Sequence, residues 1–145
     1  MYTAIQWMSS QQRVCVLRAP VRSNDIADLR SALVSYTLNK GVNCFFAPRD
    51  EGTALEVPQS AYAAMKAAMG EPVQAAQSLR ESGSPNDGFR LYSRVTSKGI
   101  LYLNMTGRSK IIMLDPSRRY TDLNGRRITS LYVRDGQGDF ARLLP

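Results

Sequence analysis

Apolar residues along this chain fall into two patterns, and the change between them lies near Gly88. In QQRVCVLRAP, Val14 and Val16 alternate with Cys15 and Leu17, so both faces of the segment are apolar. That pattern predicts a central strand covered on both sides. In VRSNDIADLRSALVSYTLNKG, Ile26, Leu29, Leu33 and Tyr36 recur at helical spacing. Ser23, Asn24 and Asp25 are candidate N-caps, Asp28 suits the positive end of the helix, and Lys40-Gly41 closes it. VNCFFAP predicts a second buried strand, stopped by Pro48. Strand, helix and strand within about 35 residues make a βαβ unit, with parallel strands and a right-handed crossover.

RDEGTALEV reads as a loop with a short strand at Ala54 to Val57. Pro58 opens a helix over QSAYAAMKAAMG, where Tyr62, Met65 and Met69 share a face and Gly70 ends the run. Pro72 suits the first turn of another short helix, VQAAQSLRES, ending at Gly83. ESGSPNDG, from Glu81 to Gly88, is dense in turn formers.

After it the period becomes two. Phe89, Leu91 and Val95 alternate with Arg90, Tyr92, Arg94 and Thr96. The expectation is an apolar face against the helices and an Arg-Tyr-Arg face in solvent, joined by Tyr102 and Asn104 across the Ser97-Lys98-Gly99 turn. ILYLNMT, KIIMLD, ITSLYV and DFARLL supply further strands, with turns at TGRS, at the Asn124-Gly125 hairpin and at DGQG. The predicted fold is α+β: an N-terminal βαβ unit and short helices packed on a C-terminal antiparallel β-meander, in one domain over residues 1–145.

Charge changes the picture of the second half. From Met1 to Asp87 there are 8 basic and 8 acidic residues; from Gly88 to Pro145 there are 11 basic and 4 acidic. The whole net charge of +7 therefore sits in the meander. Such asymmetry points to a polyanion or an acidic partner; a basic surface kept for solubility is the plain alternative.

Candidate chemistry is sparse. The chain has no histidine, which excludes Ser-His-Asp and Cys-His catalysis. Asp50-Glu51 follow a strand, where open α/β sheets often bind ligands, but no third metal ligand accompanies them and a solvated loop is the simpler reading. No GxGxxG or GxxxxGK[ST] is present, and Cys15 and Cys44 have no zinc spacing, so neither cofactor nor metal is expected. Both cysteines lie in apolar runs and read as buried thiols on neighbouring strands, which suits a reducing cytoplasm. The N-terminus has no basic n-region with a long apolar h-region, and no run reaches a membrane span, so neither export nor a membrane is expected.

These features leave a non-enzymatic binding module as the leading expectation. Tyr and Arg side chains stack on bases, and Arg pairs with phosphates, so a basic aromatic sheet face suits single-stranded RNA or DNA. The residues expected to contact phosphates and stack on bases are Arg90, Tyr92, Arg94, Lys98, Arg108, Lys110, Arg118, Arg119, Arg126 and Arg127. If Leu123 pairs with Arg126 in the hairpin, Asp122 faces Arg127 and neutralises part of this charge. The alternative is a small interaction or inhibitor module, of the viral or mobile-element accessory type, whose basic face meets an acidic protein. A groove lined by Tyr92 and the arginines favours the first; a flat apolar patch rimmed by charge favours the second.

Overall fold

A computed structural model describes residues 15–22, 25–40, 44–50, 59–80 and 90–145. The expected loop and strand at 51–57, the Pro58 start signal, the 81–88 turn segment, Phe89 and the Ser23 and Asn24 caps lie outside those residues. The fold is α+β, with its helices and strands in the order β1 (Cys15–Val21), α1 (Ile26–Asn39), β2 (Cys44–Asp50) and α2 (Gln59–Met69), then β3 (Gln77–Arg80). There follow β4 (Arg90–Thr96), β5 (Gly99–Met105), β6 (Lys110–Met113) and β7 (Tyr120–Thr121). The last strands are β8 (Arg127–Ile128), β9 (Ser130–Val133) and β10 (Gly138–Leu143).

The βαβ unit forms as its pattern predicts. β1 and β2 are parallel, with Cys15 opposite Cys44. The Cys44 thiol is buried and free; the Cys15 side chain lies outside the described part. Asp25 caps α1 by accepting from the Ala27 and Asp28 N–H groups at 2.9 and 3.2 Å. Leu29, Leu33 and Tyr36 are buried as the spacing requires, but Ile26 is 69 % exposed in the first turn. Val34, Thr37 and Leu38 are buried as well. The buried arc is wide because α1 packs against two sheets: its core cluster joins Cys44 and Phe46 of β2 to Leu101 of β5 and Phe140 of β10.

Two expectations for β1 and β2 fail. Among the described residues they pair only with each other, as a two-stranded sheet, and are not the centre of a larger one. Accordingly one face of β2 is wet: Phe46 is buried and stacks on Tyr36 at 5.2 Å, while Phe45 is 57 % exposed. Pro48 does not stop the strand, which runs on to Asp50 with Pro48 opposite Ala19. An edge strand tolerates proline because one side of its backbone has no ladder to serve.

α2 ends at Gly70, which has φ +74°, and Met69 is buried in the main core with Tyr62 and Met65 beside it. The helix expected after Pro72 is absent. Pro72 bridges Thr96, and Gln77–Arg80 is instead a strand paired antiparallel with β4, with Leu79 opposite Leu91. Hydrogen bonding to β4 overrides the helical propensity of an alanine- and glutamine-rich segment.

The large sheet has the order β3-β4-β5-β10-β7-β8, so it is not a simple meander. The last strand is inserted between β5 and β7, and β6 and β9 leave to pair with each other. Leu101 and Phe140, paired across β5 and β10, face the helices with Tyr92 and Leu103. Ile100, Tyr102, Ala141 and Leu143 face the other way and pack with Leu114, Tyr120, Leu131 and Val133. Helices cover one face of this sheet and the β6–β9 pair covers the other.

That double cover corrects the expected orientation of β4. Register places Tyr92 beside Leu103 and Arg94 beside Leu101, on the helix side. Tyr92 packs on the main core. The Arg94 guanidinium donates to the carbonyls of Thr37 (2.9 Å), Leu38 (3.0 Å) and Lys40 (2.9 Å) through Nη1, and to that of Gln74 (2.7 Å) through Nε. Three of these are carbonyls at the C-terminus of α1, where the C-cap is Lys40 and Gly41 lies outside the described residues. The Arg-Tyr-Arg side is thus turned inward, because Arg94 is the C-terminal cap of α1.

Candidate interaction surfaces

The ten basic and aromatic residues named from the sequence lie on several different strands and turns. Tyr92 and Arg94 are structural. Arg90 is half-buried and donates to Ser78 Oγ on β3 at 3.2 Å. Lys98, in the turn before β5, donates to the Ala67 carbonyl near the end of α2 at 2.7 Å. Arg108 and Lys110 lie at the start of β6 and both have partners. Asn104, fully buried, donates to the Arg108 and Val133 carbonyls at 2.8 and 2.9 Å and thereby ties β5 to β6 and β9.

Arg118, Arg119, Arg126 and Arg127 lie in or beside β7 and β8, at one edge of the large sheet. Arg118 lies 3.7 Å from Asp115, and Arg119 donates to the Pro145 carbonyl at 3.2 Å. The hairpin register differs from the expected one. Thr121 pairs with Arg127, and Asp122 stands opposite Arg126 through a 2.9 Å backbone bond. A three-residue loop with Gly125 at φ +79° replaces the two-residue turn. The Asp122 carboxylate accepts the N–H groups of Asn124 and Arg126, so it organises the turn and does not face Arg127. Arg142, missing from the expected set, flanks Thr121 from β10. Arg142 and Arg127 therefore lie in one row, two strand spacings or about 10 Å apart, both exposed.

A second surface was not legible from spacing at all. In the β6–β9 pair, Ile112 and Leu131 point at the large sheet while Ile111 stands opposite Tyr132 on the outside. Met113 lies next to them, opposite Ser130. Ile111 is 69 % exposed, Met113 73 % and Tyr132 59 %, a contiguous apolar stripe. The same face continues in strand parity to Arg134, which is exposed. The one signal in the sequence is the unalternated run Ile111-Ile112-Met113, which puts large apolar side chains on both faces of a strand.

Asp139 has its carboxyl raised from the ordinary aspartate range, chiefly by burial and also by Asp122; Arg30 and the Phe140 N–H oppose the rise. Arg30 Nε is 3.4 Å from Asp139 but not aligned for a hydrogen bond. Asp50 ends β2 and Glu51 lies outside the described residues. Among the described residues, no three His, Cys, Asp or Glu side chains come together, and no helix is long and apolar enough to cross a membrane. No family model matches the chain, and neither a curated protein nor a solved structure matches it.

Proposed function

We propose that this chain is a protein-interaction module that binds an acidic, partly apolar partner through the outer face of the β6–β9 pair. The observation that carries this reading is the Ile111, Met113 and Tyr132 stripe. Singly exposed apolar residues are ordinary, but three on adjoining positions of one flat face mark a contact surface. The half of the chain that presents it holds the whole net charge of +7. An acidic partner is attracted to that surface, and a second copy of the chain is repelled.

The test uses a displayed library of random 12-residue peptides, panned on the full chain. Selected peptides should combine Asp or Glu with large apolar residues. They should bind the Ile111→Thr/Met113→Thr/Tyr132→Thr variant at least tenfold more weakly. Threonine keeps strand propensity, and these side chains bury little, so stability should change by less than about 1 kcal/mol. Peptides that bind the variant equally well would remove this surface from consideration.

A second reading, single-stranded nucleic acid, is supported by the Arg142–Arg127 row with Arg118, Arg119 and Arg126 close by in sequence. It has lost its stacking residue, since Tyr92 belongs to the core. Binding of this kind would be governed by phosphate contacts, with log affinity falling by about 0.7 per contact for each unit of log salt.

A further inference from the structure

The backbone of β6 adds something that the side chains alone do not. The Leu114 N–H donates to the Thr129 carbonyl at 3.0 Å, and this pair continues the register in which Ile112 faces Leu131 and Lys110 faces Val133. Antiparallel ladders alternate hydrogen-bonded and non-hydrogen-bonded pairs. Residues 110, 112 and 114 therefore direct their N–H and C=O groups at β9. Ile111 and Met113 direct theirs the opposite way, out of the far edge of β6. Among the described residues, no strand lies along that edge.

Free edges are normally protected by a charged side chain pointing inward, a proline or a bulge. β6 has none of these at the two positions concerned. The residues that offer backbone groups at the edge, Ile111 and Met113, also carry the exposed apolar side chains. Backbone donors, backbone acceptors and apolar side chains thus converge on one four-residue strand. That combination is what strand addition uses: main-chain bonds supply affinity, and alternate side chains supply specificity.

We infer that β6 accepts an extended acidic segment of a partner as an added β-strand, with every second partner side chain, apolar, lying on the Ile111–Met113–Tyr132 face. This rests on the proposed protein-interaction role and specifies how the partner is held. The acidic character follows from charge: residues 88–145 hold 11 basic and 4 acidic side chains, and the exposed Arg134 continues the face of the pair. A second copy would bring the same cations against each other.

Two measurements separate this inference from the broader role. The first takes a peptide selected from the displayed library on the full chain and N-methylates it at one residue at a time. Strand addition predicts that methylation at alternate residues reduces affinity at least tenfold and that methylation between them has little effect. The second follows backbone amide exchange of the full chain. In the free protein, Ile111 and Met113 amides should exchange much faster than Ile112, and the peptide should slow those two selectively. Ile111→Pro, which removes an outward N–H while keeping an apolar side chain, should abolish binding; Ile111→Thr should only weaken it. Should the peptide bind, lose affinity with the threonine-substituted face and yet tolerate methylation everywhere, the interaction surface stands and strand addition is wrong. Protection of Ile111 and Met113 in the free monomer would show that the chain covers its own edge. Protection that grows with protein concentration would show that a second copy does. Either result overturns the inference.

Discussion

Replacing Arg94 by alanine should be among the most damaging single changes in the basic half. The side chain makes four contacts to carbonyls, three of them from one nitrogen, Nη1. That nitrogen carries only two hydrogens, so its three bonds are shared and count as about two. With the Nε bond there are about three charge-assisted bonds, each contributing roughly 1.5–3 kcal/mol. The lower end applies, because water reaches part of the α1 terminus and replaces some of what is lost. A loss of about 3–5 kcal/mol follows, the range for removing one partner of a buried charged network. For a domain of this size that is a fall in Tm of roughly 6–20 °C. Arg94→Lys keeps the charge but not the fork, and should recover less than half of the loss. Urea denaturation followed by circular dichroism measures both variants. A loss below about 1 kcal/mol for Arg94→Ala would return this side chain to solvent and refute the inward orientation of β4.

Three further outcomes follow from packing and charge. Leu33→Ala should cost about 2–5 kcal/mol in the same urea assay, since Leu33 is fully buried between the helix and both sheets. Gly99→Ala should cost clearly more than Gly125→Ala: an added Cβ at Gly99 would sit 2.0 Å from the Ala141 carbonyl oxygen, whereas at Gly125 it meets open space and the penalty is the roughly 1 kcal/mol of its left-handed backbone. The Asp139 carboxyl, followed by carbon-detected NMR, should titrate above the ordinary aspartate range, and Arg30→Met should raise it further. Because its folded pKa is raised, this group favours folding most below the unfolded aspartate value near 3.9, and that contribution is lost as pH rises through the folded pKa.

The helices were legible because their apolar spacing coincides with the buried arc: Leu29, Leu33 and Tyr36 in α1, and Met69 with Tyr62 and Met65 in α2. The parallel β1–β2 pair followed from chain connectivity. β3 was not legible, since Gln77–Arg80 has neither alternation nor β-branched residues and becomes a strand only by pairing with β4. The orientation of β4 was misread for a related reason. Tyr and Arg have long apolar bodies with polar tips, so Arg90-Tyr92-Arg94 can line either face. What decides is the set of carbonyls at the end of α1 that Arg94 serves, on a segment more than fifty residues earlier. The apolar stripe depends on which of Ile111 and Ile112 the pairing with β9 turns inward, and a run without alternation does not encode that choice.

If β6 and β9 present the working surface, the arginines elsewhere do not carry partner binding. This is tested most directly by titrating three proteins with two ligands at near-physiological salt. The proteins are wild type, Ile111→Thr/Met113→Thr/Tyr132→Thr and Arg126→Ala/Arg127→Ala/Arg142→Ala. The ligands are a peptide selected from the displayed library and a single-stranded oligonucleotide. The peptide should lose at least tenfold in affinity only with the threonine variant, while the oligonucleotide should bind weakly, at the roughly 10⁻⁴–10⁻⁶ M of nonspecific charge attraction. Tight oligonucleotide binding abolished by the arginine variant, with peptide affinity indifferent to the threonine substitutions, would contradict this reading.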